Sequence, residues 1–63
     1  MIKWKRLDAG EYESEDTRFY IIKGYDRIYG DHWILYDRNE PDEYKGRYDE
    51  RTLLDCKLKA EVI

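Results

Sequence analysis

A single cysteine, Cys56, leaves this 63-residue chain without an internal disulfide and without a cysteine-based zinc site. Long apolar runs are missing too, so neither a signal peptide nor a membrane span is expected. There is no internal repeat, low-complexity tract or linker, and the length allows one domain, 1–63. A basic excess is also absent. Twelve Lys and Arg stand against 15 Asp and Glu, a net charge of −3, which removes the usual drive for phosphate binding. The opening Met1-Ile2-Lys3-Trp4-Lys5 has the form of an intact cytosolic N-terminus, and a reducing cytoplasm is the expected compartment.

What is present is charge and aromatic surface. Charged residues make up 43% and mean hydropathy is −1.03, which taken alone would suggest disorder. The 16% aromatic content argues for a folded domain, since disordered chains are poor in aromatics. A chain this short buries only about 60% of its unfolded surface, so each large apolar residue counts. Trp4, Phe19, Ile21, Ile22, Trp33, Ile34, Leu35, Leu53, Leu54 and Leu58 are the candidate core. Charge is uneven: residues 1–10 are net basic, whereas 11–20 and 31–50 are net acidic.

Ile2 and Trp4 alternate with Lys3 and Lys5, and alternation resumes around Tyr12, so residues 2–14 read as one strand with an irregularity at Gly10. Arg18–Lys23 and His32–Asp37 are dense in aromatic and β-branched residues and are the next two strands. Residues 24–31, bracketed by Gly24 and Gly30, read as a projecting hairpin loop. Arg38–Glu43 is loop around Pro41, and Tyr44–Tyr48 adds at most a short extended piece. Thr52–Ile63 is ambiguous. Leu54, Cys56, Leu58, Ala60 and Val62 alternate as in a strand, yet the Leu, Lys, Ala and Glu content favours helix. Thr52 suits an N-cap, and a helix would place Leu53, Cys56, Ala60 and Ile63 on one face.

Motifs for catalysis are sparse. Asp31-His32 is the only adjacent carboxylate–histidine pair, and neighbouring strand residues point to opposite faces, so a surface histidine is the simpler reading. Cys56 sits among apolar helix positions and reads as a buried, inert thiol. Ser14 lacks a nucleophile-elbow context. Asp37-x-Asn39-x-Pro41-Asp42 fails as a calcium loop, with Asp42 at the position needing Gly and Tyr48 at the one needing Glu. A chain of this size has little room for a pocket of about 300 Å3 or more. No enzyme activity, cofactor or metal is expected.

The residues Trp4, Gly10-Glu11-Tyr12-Glu13-Ser14-Glu15-Asp16, Phe19-Tyr20-Ile21, Trp33-Ile34-Leu35, Thr52-Leu53, Cys56-Lys57 and Ala60-Glu61 form a pattern that resembles a group of short phage and prophage proteins. The resemblance implies a β-β-β-α fold: an α+β domain with a three-stranded antiparallel meander and one C-terminal helix packed on one face. It implies a phage origin, hence a host cytoplasm, but no chemistry. Cys56 stands where that pattern has Ala, and the stretch from Pro41 to Tyr48 is longer than the pattern has.

If Phe19, Ile21, Trp33 and Leu35 face the helix, then Tyr20, Ile22, Ile34 and Tyr36 face the other way, with Tyr12 extending the patch. Tyrosine suits interfaces, because it offers large contact area with few rotamers to freeze. Tyr–Ile cross-strand pairs that merely stabilise a half-wet sheet would leave the same pattern. Acids flank the patch, Glu13 on one side and Glu40 on the other. The expected function is a non-catalytic protein-binding module, an inhibitor of a host or anti-phage defence protein docking on this surface. The alternatives are a nucleic-acid-binding module laying its sheet in a groove, and a homodimer that buries the tyrosine faces with function elsewhere.

Overall fold

The computed structural model describes residues 1–28 and 30–63. Five strands and one helix follow in order: β1 (Trp4–Asp8), β2 (Glu11–Ser14), β3 (Phe19–Asp26), β4 (Gly30–Asp37), β5 (Arg47–Glu50) and α1 (Leu53–Val62). The strands form one antiparallel sheet in the order β1-β2-β3-β4-β5, an uninterrupted meander. The expected architecture of helix on antiparallel sheet is present, but the sheet has five strands rather than three.

Both extra strands have a local cause. The expected single strand over 2–14 is a hairpin, because Gly10 adopts φ 75° and turns the chain at Ala9-Gly10. Its carbonyl accepts from the Lys23 amide at 2.9 Å, tying the turn to β3. The irregularity expected at Gly10 is thus a turn, and the register of the β1–β2 ladder shifts instead between Arg6 and Asp8. The fifth strand, Arg-Tyr-Asp-Glu, carries little apolar signal and pairs as an edge, with Leu35 opposite Tyr48. The expected 24–31 loop is shorter: Gly24–Asp26 continue β3 and Gly30-Asp31 begin β4, while Tyr29 lies outside the described residues.

α1 packs on β3, β4 and β5. Thr52 caps it, its side chain accepting from the Asp55 amide at 3.0 Å. The core is Phe19, Ile21 and Leu35 from the sheet against Cys56 and Ala60 from the helix, with Ile2, Trp4, Tyr12, Trp33, Tyr48 and Leu53 packed around it. The small helix residues let α1 sit close to the sheet. Leu54 and Leu58, expected in the core, are 63% and 56% exposed, and Ile63, expected on the sheet-facing side, is 41% exposed. A helix of 3.6 residues per turn aims Leu54 and Leu58 away from Cys56 and Ala60, and Ile63 lies past the last helical turn, at the C-cap.

Candidate functional site

Strand alternation sorts the two faces. Tyr12 pairs with Ile21, and Ile21 with Leu35, so these three share the helix side. Tyr20 pairs with Tyr36 and Ile22 with Ile34, and these four share the open side, as expected. Tyr12 is a correction. It belongs with the core, its ring 6.1 Å from that of Trp33 and beneath the Lys57 ammonium, because it stands directly opposite an inward residue.

At the centre of the open face Tyr20 and Tyr36 stack across β3 and β4, with ring centroids 6.2 Å apart and planes 26° from parallel. The Tyr20 hydroxyl donates to Glu11 at 3.2 Å, and the Arg38 guanidinium lies 5.3 Å from the Tyr20 ring centre. Burial, then the Glu11 carboxylate, pushes the Tyr20 phenol above its ordinary value. Ile34, expected as an exposed contact residue, is only 9% exposed and Ile22 is half-buried, so Ile34 adds little to the accessible surface of this face. A groove of about 580 Å3 runs from Tyr20 and Tyr36 to Arg38, Glu40, Pro41 and Glu43.

The flanking acids are less free than their sequence suggests. Glu13 is paired by Arg38, which also donates to the Thr17 carbonyl. Asp37 is held by Arg18 through two bonds, at 3.1 and 3.2 Å, which keep its carboxyl below the usual carboxylate range. Asp16 accepts from the Ser14 hydroxyl at 2.6 Å and the Arg18 amide at 3.1 Å, and both bonds hold its pKa down. Ser14 is fully buried and also accepts from the Phe19 amide at 2.9 Å, so Ser14 and Asp16 build the β2–β3 turn. Glu40 and Glu43 remain on the groove wall.

Open grooves exceed the expected pocket size. One, of about 1100 Å3, lies where β5 stops short of the β3–β4 hairpin, and it is lined by Gly24, His32, Ile34, Arg47, Asp49 and Arg51 among others. The earlier limit holds for enclosed pockets, whereas this space opens to solvent along a sheet edge. His32 Nδ1 is buried there with no hydrogen-bond partner among the described residues. No cluster of three or more metal-ligating side chains occurs among the described residues. Cys56 is fully buried, and burial, followed by the carboxylates of Glu50, Asp55 and Asp49, pushes its thiol up to about 12. Such a thiol stays protonated and is a poor nucleophile. No helix among the described residues is long and apolar enough to cross a membrane. Comparison with family models, curated proteins and solved structures finds no match to this chain.

Proposed function

We propose that this chain is a non-catalytic protein-binding module whose contact surface is the open face of its sheet. The observation that carries the reading is the one-sided cover. α1 packs against one face of a five-stranded sheet, and the other face has at its centre the stacked Tyr20 and Tyr36 beside Ile22 and Ile34. Tyrosines anchored this way are already ordered, so a partner can bury them at small entropic cost. Glu40 and Glu43 on the rim favour a partner with a basic margin. In a phage accessory protein that partner would be a host or defence protein, blocked by occupancy.

The test is affinity capture from a bacterial lysate, with and without nuclease, using the parent chain beside Tyr20→Ser with Tyr36→Ser. A protein retained by the parent after nuclease and lost by the double variant supports the proposal. Capture of nucleic acid alone moves the reading to a nucleic-acid-binding module. Full-strength capture by a folded double variant places the contact elsewhere.

A further inference from the structure

The two stacked tyrosines of the open face differ in what covers them. Tyr20 carries a clasp from its own chain: the Arg38 guanidinium lies 5.3 Å from its ring centre and pairs with Glu13. Most other packed rings are covered in the same way, Phe19 by Arg18, Trp33 by Lys23, Tyr12 by Lys57 and Tyr48 by Lys59. Among the described residues no cation lies over Tyr36, which is half-buried and lines the groove of about 580 Å3. A carboxylate is already fixed in that groove. The stem of Glu40 rests on Gly46, where an added β-carbon would lie 3.0 Å from the Glu40 β-carbon. The Glu40 amide donates to the Asp37 carbonyl at 3.1 Å, and its Oε1 accepts from the Asp42 amide at 3.2 Å, which leaves Oε2 to a further donor. Neither Glu40 nor Glu43 is in an ion pair among the described residues. The other charges beside Tyr36 are neutralised within the chain: Asp37 by Arg18, Arg38 by Glu13, and Arg47, which stands opposite Tyr36, by Asp49. Lys45 is exposed and does not line the groove.

We infer that this groove is a subsite for an arginine side chain of the partner protein, its guanidinium packed on the Tyr36 ring and paired with Glu40, with Glu43 on the wall. The inference rests on the sheet-face reading above and names the group by which the partner is held. The contact repeats between two chains what Arg38, Tyr20 and Glu13 make within one. The groove offers an uncovered ring beside two carboxylates that no cation of the chain compensates, so the occupant is cationic. Arginine fits better than lysine. Its planar, weakly hydrated guanidinium stacks on a ring while its edge donates to a carboxylate, and an ammonium does not do both. Glu40 is held before the partner arrives, so little ordering cost falls on binding.

Titration of the isotope-labelled parent chain with the capped peptide acetyl-Gly-Arg-Gly-amide, followed by NMR, tests this. The expected result is saturable binding with Kd on the order of 10 mM or tighter, with the largest shifts at Tyr36, Glu40 and Gly46. Citrulline in place of arginine keeps the shape without the charge and abolishes binding, and lysine weakens it at least about threefold. Glu40→Gln keeps an acceptor for the Asp42 amide, so it melts like the parent, and it raises Kd at least about fivefold. Tyr36→Leu raises Kd by a similar factor, whereas Glu15→Gln, which removes the same charge outside the groove, leaves Kd unchanged. Absence of saturable binding up to about 50 mM peptide overturns the inference, as does a folded Glu40→Gln variant that binds like the parent. Equal binding of the lysine peptide overturns the choice of arginine. The lysate capture fails separately. A protein lost by Tyr20→Ser with Tyr36→Ser but kept at full strength by Glu40→Gln overturns the arginine subsite and leaves the sheet-face module in place. Peptide binding as expected, with no protein captured by the parent, supports the subsite and counts against the module.

Discussion

At the residue scale the side chains that look reactive are fixed by structural work. Cys56, with its thiol raised to about 12, is expected to ignore a disulfide reagent in the native state and to react at the rate of unfolding. Rapid native labelling at neutral pH would contradict its burial. Thr17 is the only non-glycine residue with positive φ among the described residues, at 64° in the β2–β3 turn. A β-branched residue is strained there, so Thr17→Gly should raise stability by about 0.5 kcal/mol net, the relief exceeding the added entropy of the unfolded chain. Denaturant melts of both chains decide it. Asp37 sets an acid limb. Its folded pKa lies below the unfolded value of about 3.9, so its contribution is complete above that value and is lost as pH falls through the folded pKa. Asp37→Asn should lower the melting temperature at neutral pH and flatten its decline below about pH 4. An acid limb of unchanged steepness would show that other carboxylates carry it.

At the element scale α1 and the central hairpin answer to different forces. The helix is ten residues long, too short to hold itself without packing, so its cap and its two small buried residues matter. Thr52→Ala removes the acceptor for the Asp55 amide and should cost about 1 kcal/mol, read from the shift in denaturant midpoint. β3 and β4 pair over eight residues and carry Ile21 and Leu35, both fully buried. Leu35→Ala should cost about 2–5 kcal/mol, enough to unfold a domain this small at room temperature. Tyr20→Ser with Tyr36→Ser removes a cross-strand stack together with the Glu11 and Arg38 contacts of Tyr20, at about 1–2 kcal/mol, and leaves a cooperative melt. That difference keeps the binding test interpretable.

At the scale of the whole molecule one helix cannot cover five strands twice. The sheet buries one face, and the other is left to its own side chains: stacked tyrosines, a nearly buried Ile34 and the Glu13 carboxylate tied by Arg38. Among the described residues the ion pairs Arg18–Asp37 and Arg38–Glu13 bridge turns that are distant in sequence. Arg18, Lys23, Arg38, Lys57 and Lys59 also lie over aromatic rings. These five cations cover aromatic surface with their stems and heads, which helps so polar a chain to hold a core.

Local chemistry alone determined a good part of this. Alternation in Phe19-Tyr20-Ile21-Ile22 and Trp33-Ile34-Leu35-Tyr36 assigned both faces of the central hairpin, because a side-chain period of two has no other reading once one face is buried. Thr52 marked the helix start because its hydroxyl satisfies an amide that the helix cannot. Tertiary structure decided the rest. β1 and β2 separated only through the positive φ of Gly10 and its bond to Lys23, and β5 formed because β4 offered an unpaired edge to a segment with little strand preference of its own. Tyr12 went to the core by standing opposite Ile21, a register that no local pattern contains. The period-two run from Leu54 to Val62 was two helical stripes superposed; helical spacing already grouped Cys56 with Ala60, and their seating on the sheet left Leu54 and Leu58, equally apolar in sequence, outside the core. Periodicity reports that a residue is apolar at a given phase, but burial belongs to whichever surface another element reaches first.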